Sequence, residues 1–180
     1  TQALLDGRCD LAIMSRLAYD EAAAGSGKLD MVVALGPASY VGSHALLVRT
    51  DGPDGAAPGM TVGVDPESTD QNVLTRAEFA GLDVQFVEVP YMQMMEKLAR
   101  REIDATVWNA DEVQFRAMEV KAVPLKSPQA RLLAERNTEA VVVMAAGRRE
   151  LVGVVRRVLD AAAVRAVQGE VRAGRRVPSY

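Results

Sequence analysis

Ser68-Thr69 is the pair of residues best placed to do chemistry. It follows an apolar run, Thr61 to Val64, and an Asp65-Pro66-Glu67 turn, at the point where a helical pattern opens. The first N–H groups of a helix lack intrahelical acceptors and its dipole is positive there, so a carboxylate or phosphate can be received at such a place. Ser and Thr are equally preferred as helix N-caps, and Asp65 or Asp70 would cap as well. Ser15-Arg16 closes another apolar run, Asp10 to Met14. The planar fork of an arginine donates two parallel hydrogen bonds to a carboxylate, although a surface loop arginine reads the same way. Trp108-Asn109-Ala110-Asp111 ends a third run; Trp108, the only tryptophan, either walls a pocket or fills a core. Between Ser39 and His44, the residues Tyr40, Ser43 and His44 are placed to line a cleft.

Other chemistries are poorly supported. His44 is the sole histidine and Cys9 the sole cysteine, which leaves neither a transition-metal cluster nor an internal disulfide. A Ser-His-Asp triad has no supporting spacing, and the glycines match neither a P-loop nor a dinucleotide fingerprint. His44 is better read as a capping or filling residue. Tyr91, Met92, Met94 and Met95 are better read as helix packing than as a cofactor box. No cofactor is implied.

The elements that must position these residues alternate. Strands are expected over Asp10 to Met14, Leu29 to Leu35, Ser43 to Arg49, Thr61 to Val64, Val84 to Val89, Val120 to Leu125 and Ala140 to Met144. Helices are expected over Tyr19 to Ala24, Asp70 to Phe79 and Tyr91 to Arg101, with Met92, Met95, Leu98 and Ala99 on one face. Asp111 to Met118 continues as helix, Asn137-Thr138 lies in a polar connection, and a single long helix runs from Arg148 to about Ala173. Strands alternating with helices are the signature of α/β layers.

One phrase occurs twice: Leu4-Leu5-Asp6-Gly7-Arg8-Cys9-Asp10-Leu11 and Leu98-Ala99-Arg100-Arg101-Glu102-Ile103-Asp104-Ala105. Each reads as a helix end, a turn, an aspartate and a buried strand, so two similar α/β lobes are expected. Asp10 and Asp104 precede their strands, away from the carboxyl edge where ligands collect in α/β sheets, and cap turns rather than bind. A cleft between lobes is the default place for a small molecule.

Composition narrows the partners. The chain has 180 residues, long enough for a core, and a net charge of −3, which argues against a nucleic-acid surface. No run of about 18 apolar residues is present to span a membrane, and no signal peptide opens the chain. It begins at Thr1 while already finishing a helix, and so reads as a piece of something longer.

The succession of strands and helices, densest in the two aspartate phrases and in Thr61 to Asn109, resembles the type 2 periplasmic-binding-protein fold. Within that superfamily the chain is most similar to the C-terminal effector-binding domain of YhfZ-type transcriptional regulators. Gly7-Arg8-Cys9-Asp10-Leu11-Ala12, Val64-Asp65-Pro66-Glu67-Ser68-Thr69-Asp70-Gln71, Val89-Pro90-Tyr91-Met92-Gln93 and Pro178-Ser179-Tyr180 carry that resemblance. It implies an α/β fold of two lobes, the first lacking its N-terminal strand and helix and open to completion by another chain. Lobe 1 comprises residues 1–48 and 138–180, and lobe 2 residues 49–137. The resemblance also implies an interlobe ligand held by Ser15, Arg16, Tyr40, Ser43, Ser68, Thr69, Trp108, Asn109 and Asp111, with closure about segments near Arg49 and Asn137. Amino-acid-binding members tend to carry an acid where Asn109 stands, so an anionic or neutral ligand is expected unless Asp111 substitutes. The expected function is effector binding in a cytoplasmic, homodimeric bacterial transcriptional regulator, not an enzyme, with DNA met only through a separate N-terminal domain. A solute-binding protein of a transport system is the alternative, and an enzyme on the same scaffold a less favoured one.

Overall fold

The computed structural model describes residues 2–111 and 119–176. In chain order the first elements are α1 (Gln2–Leu5), β1 (Leu11–Ser15), α2 (Arg16–Ser26), β2 (Leu29–Ala34), β3 (His44–Arg49), β4 (Thr61–Val64), α3 (Thr69–Glu78) and β5 (Gln85–Glu88). A 3₁₀ turn over Tyr91–Gln93 leads into α4 (Met94–Ala99), then β6 (Ala105–Asn109), β7 (Val120–Val123), α5 (Pro128–Asn137), β8 (Ala140–Ala145), α6 (Arg149–Val158) and α7 (Ala161–Arg172). The helix expected over Asp111 to Met118 and the Pro178-Ser179-Tyr180 phrase fall largely or wholly outside the described residues.

Two compact units divide the chain. The first comprises residues 1–42 and 136–180, the second residues 43–135. Unit 1 is built on an antiparallel sheet of order β1-β8-β2. β8 is buried on both faces, which is why its sequence is an unbroken Ala-Val-Val-Val-Met run. Val141 and Val143 pack with Leu4 of α1, Leu29, Met14 and Tyr19. On the opposite face Ala140, Val142 and Met144 meet Val32, Leu35 and the apolar stripes of α6 and α7.

Unit 2 is built on a five-stranded sheet of order β5-β4-β6-β3-β7. β4 runs parallel to β5 and β6, while β3 is antiparallel to both of its neighbours. β3, expected in the first lobe because it follows that lobe's strands, is thus an interior strand of the second unit, with Leu46, Leu47 and Val48 fully buried. Pairing between strands far apart in sequence leaves no mark on the strand's own pattern. Gly63 in β4 has no room for a side chain, since a Cβ would fall on the Met94 sulfur and the Ile103 methyl.

Other differences have local causes. α2 begins at Arg16 rather than Tyr19 because the Ser15 hydroxyl accepts from the Ala18 N–H at 3.0 Å and caps the helix. The long helix expected from Arg148 breaks at Leu159, and α7 restarts where the Asp160 carboxylate accepts from the N–H groups of Ala162 and Ala163. The connection around Asn137 is the end of α5, whose buried residues include the small Ala130 and Ala134, so no apolar stripe announces it. Met92 is 89% exposed, because the 3₁₀ turn shifts the helical phase and turns Met94 and Leu98 inward instead.

The repeated phrase forms the same motif twice. After α1 the N–H of Arg8 bonds the carbonyl of Ala3 at 2.8 Å and that of Gly7 bonds Leu4 at 3.1 Å; after α4, Glu102 bonds Lys97 at 2.9 Å and Arg101 bonds Leu98 at 3.2 Å. This is the Schellman helix stop, which requires a left-handed residue. Gly7 provides it at φ 67° and Arg101 at φ 64°. The left-handed conformation costs an L-residue roughly 1–2 kcal/mol, and the Arg101–Asp51 ion pair is exposed to solvent and offsets little of it. Arg101→Gly is therefore expected to raise stability by about 0.5–1 kcal/mol in urea denaturation; a lower midpoint would contradict this account of the motif.

Candidate functional site

The carboxyl edge of β4 and β6 in unit 2 gathers most of the expected site residues. The chain leaves β4 at Asp65, which is 8% exposed and whose carboxylate accepts from the N–H of Glu67 at 2.9 Å and of Tyr91 at 2.7 Å. One aspartate thus closes its own turn and ties it to the segment after β5. The turn delivers Ser68 and Thr69, both half-buried, to the start of α3. Ser68 stands at the N-cap position, yet its hydroxyl makes no capping hydrogen bond; the residue holds the turn through its backbone, with its N–H on the Asp65 carbonyl at 3.1 Å. By helix geometry the first-turn N–H groups that follow have no intrahelical acceptor.

Beneath the turn lies a buried polar plug. Gln71 accepts from the Asp65 N–H at 2.7 Å, and its amide nitrogen lies 3.0 Å from the Gly63 carbonyl, 3.0 Å from the Thr75 hydroxyl and 2.6 Å from the Thr106 hydroxyl. Thr106 also donates to Gly63 at 3.1 Å, and Thr75 accepts from the Val107 N–H at 3.1 Å. β4 and β6 pair in register only at Val62 and Ala105. Past that point side chains replace the ladder, and all three are nearly or fully buried.

The same edge holds the residues after β6. Trp108 is 5% exposed and stacks on Tyr91, with ring centroids 4.0 Å apart and planes 12° from parallel. It packs with Leu47, Val89, Met94 and Leu98, so the core reading of Trp108 is the one the geometry realises. The Asn109 side-chain oxygen accepts from the Asp111 N–H at 3.0 Å, and the Ser43 carbonyl accepts from Ala110 at 3.0 Å. His44 pairs across from Asn109. Burial pushes its imidazole down to about 4, against an opposing pull from the Asp111 charge, so at neutral pH it is uncharged.

A cavity of about 450 Å³ opens beside the turn, lined by Asp65, Pro66, Glu67, Glu88, Val89 and Pro90. Asp65, Glu88 and the Gln71 network are parts of this edge that reading the sequence did not single out as site residues. The available signal was a glutamine and a threonine on the buried stripe of α3 alongside Leu74, where apolar residues are the rule.

The remaining expected site residues lie in unit 1. Ser15 is fully buried and spends its hydroxyl on α2. Arg16 donates to Asp20 at 3.1 Å and to Glu139 at 3.2 Å. The Asp20 hydrogen bond foremost, with the Asp20 and Glu139 charges and against the cost of burial, raises its guanidinium above the ordinary value. Its fork is already engaged by carboxylates of the chain itself. Tyr40 is 39% exposed and donates its backbone N–H to Thr138 at 2.9 Å. Among the described residues no group of three or more His, Cys, Asp and Glu is arranged to hold a metal ion, and no helix is long and apolar enough to cross a membrane.

Parallel β4, β5 and β6 with an antiparallel β3, and a ligand-sized hollow at their carboxyl edge, define an α/β protein of the type 2 periplasmic-binding-protein-like fold. Solved structures agree. The periplasmic aliphatic sulphonate binding protein SsuA from Escherichia coli matches 97% of this chain and 57% of its own, with a TM-score of 0.71 and 18% identity. The substrate binding protein of an amino acid ABC transporter matches 97% and 70%, with a TM-score of 0.58 and 18% identity. At that identity the likeness is one of fold. Residues 1–180 match the YhfZ C-terminal domain family, and the chain belongs to it. It is 33% identical to YhfZ of Escherichia coli strain K12 over 180 residues, and spans 58% of that relative's length. The crystal structure of YhfZ from Shigella flexneri is 31% identical, has a TM-score of 0.77, and covers 99% of this chain and 75% of its own.

Proposed function

We propose that this chain is the effector-binding domain of a bacterial transcriptional regulator, with a small molecule held at the carboxyl edge of β4 and β6. The observation that carries the reading is the start of α3, where Ser68 caps nothing through its side chain beside a cavity of about 450 Å³. A ligand oxygen there would meet backbone N–H groups, the Ser68 and Thr69 hydroxyls and the positive end of a ten-residue helix. Asp65, Glu67 and Glu88 on the cavity wall disfavour polyanions, so the ligand is neutral or carries one acidic group directed at α3. In this reading Asn109 and Asp111 after β6, with Ser43 bonded to Ala110 on the same edge, also contact the ligand, while Arg16, already bound to Asp20 and Glu139, is not needed for it. An effector acts by binding one conformation better than another, and a few kcal/mol of difference suffices to bias an attached domain. DNA contact belongs to a separate N-terminal domain in this reading, and the working form is a cytoplasmic homodimer.

The test is a thermal-shift titration of the natural polypeptide with monocarboxylates, aliphatic sulphonates and neutral polyols, repeated on Ser68→Ala/Thr69→Ala. We expect a saturable rise in Tm for one class, lost in the double variant while its unliganded Tm stays within a few degrees. A shift undiminished in the double variant would overturn the assignment. The likeness to periplasmic binding proteins keeps a second reading open, transport-type solute binding, which a secretion signal on the natural polypeptide would favour.

A further inference from the structure

α6 has one side on the sheet of unit 1 and the other in solvent. Leu151, Val152 and Val155, with Leu159 just past the helix, pack with Val32, Val142 and Met144. By helical spacing the opposite side consists of Glu150, Gly153, Val154 and Arg157, all exposed, with Val158 beside them. Val154 is 45% and Val158 76% exposed. Two of these residue types work against α6 itself. A glycine inside a helix and a β-branched valine on its solvent face both form helix less well than alanine or a long polar residue. Crowding does not require the glycine, since a Cβ on Gly153 would meet only the Arg157 guanidinium, at 3.9 Å. α7, which packs in the same cluster through Ala161 and Val164, repeats the pattern: a Cβ on Gly169 would find nothing within 4 Å, and Val167 is 39% exposed. A glycine that the chain's own packing leaves uncrowded, next to valines left in water, suits the close approach of another helix.

We propose that this face of α6 is an interface between two copies of the chain, the two helices running antiparallel about a two-fold axis that passes between Gly153 and Val154. An isologous contact needs a self-complementary surface, and the order of side chains along α6 supplies one. About that axis Val154 lies over Gly153 of the partner subunit, and Glu150 comes level with the partner's Arg157, each contact occurring twice. Glu150 is 67% exposed, with Arg148 at 3.6 Å, and Arg157 makes no ion pair among the described residues. A parallel pairing would set like charges level and repel. An unlike partner would call for no such symmetry of charge, so a second copy is the occupant the surface fits. The contact rests on the proposed function only for the use a regulator makes of a dimer; every residue in it belongs to unit 1 and none to the ligand edge of unit 2.

Disulfide trapping in the natural polypeptide, with Cys9 and any other cysteine replaced by alanine, tests the contact. Val154→Cys is expected to oxidise to a covalent dimer at least about ten times faster than Leu132→Cys or Met92→Cys, which are 61% and 89% exposed but lie elsewhere. In the Val154→Cys background, Glu150→Arg and Arg157→Glu should each slow trapping by about fivefold, and the two together should restore it, because the swapped charges meet again across the axis. Gly153→Leu has room in a lone chain and improves helix propensity, so it should keep the far-UV helical signal while abolishing the trap. No covalent dimer at Val154→Cys, equal trapping at Met92→Cys, or a double charge swap no better than the single reversals would each overturn the proposal. None of these variants touches α3, so the ligand titration described above can be run on the same proteins, and its failure leaves the trapping result standing.

Discussion

Gln71→Leu is expected to destabilise unit 2 by about 2 kcal/mol, with loosening concentrated in the Asp65–Ser68 turn. The substitution is nearly volume-neutral, so its cost is electrostatic. Leucine leaves the Asp65 N–H, bonded at 2.7 Å in the native protein, facing an apolar group inside the fold, and removes the donor that serves Gly63 and the Thr75 and Thr106 hydroxyls. Each buried polar group left without a partner costs about 1–3 kcal/mol. Gly63 keeps its bond from Thr106, Thr106 its donation to Gly63 and Thr75 its bond from the Val107 N–H, so the stranded Asp65 N–H carries most of the cost. Gln71→Glu keeps the shape but swaps the amide donor for an acceptor among oxygens, and should cost at least as much. Urea denaturation followed by Trp108 fluorescence reads unit 2 specifically, because Trp108 is the only tryptophan and is stacked in that unit's core. A loss below about 1 kcal/mol for the leucine variant would mean the network is not what holds β4 and β6 apart.

That network also marks where reading the sequence stopped. The strands of unit 2 were legible because each is a short apolar run, and α3 because its buried positions fall at helical spacing. What a single chain does not display is pairing. β3 looks like a continuation of the first lobe until its partners, β6 and β7, are known. Small residues hide faces too: α5 buries Ala130 and Ala134, whereas its Leu132 is 61% exposed, the reverse of the usual stripe. The break at Leu159 was legible in principle, since Asp160 before an alanine run is an N-cap signal, but the apolar stripe runs through it without interruption. The place of Ser68 and Thr69, after a strand and a turn at the start of a helix, was legible because strand-turn-helix is a local pattern. Asp65 and Gln71 act through atoms supplied by Tyr91, Gly63 and Thr106, which are remote in sequence or carry no side-chain signal. The Schellman stops were legible only as a repeat, and their left-handed residue is a glycine in one copy and an arginine in the other.

The pH dependence of stability isolates one residue. The unfolded chain protonates His44 as pH falls through 6.5, but in the folded protein burial holds the imidazole neutral down to about 4, with Asp111 only partly opposing. The unfolded state therefore binds the extra proton first, and stability, full above 6.5, is lost as pH falls from 6.5 toward 4. A displacement of this size corresponds to about 3 kcal/mol in all, of which about 2 kcal/mol is gone by pH 5. No other histidine contributes, since His44 is the only one. The carboxyls of Asp51, Asp54 and Glu102 are held below their ordinary values by hydrogen bonds from Arg101, Lys121 and Lys97, so their titration falls at lower pH. Urea midpoints at pH 7.5 and 5.0 should differ accordingly, and His44→Gln should flatten the difference while keeping a polar group opposite Asn109. A slope that survives in His44→Gln would place the titrating group elsewhere. Because the folded protein keeps His44 neutral down to about 4, the affinity of the folded state for a ligand at this edge should stay level between pH 6.5 and 5 while stability falls.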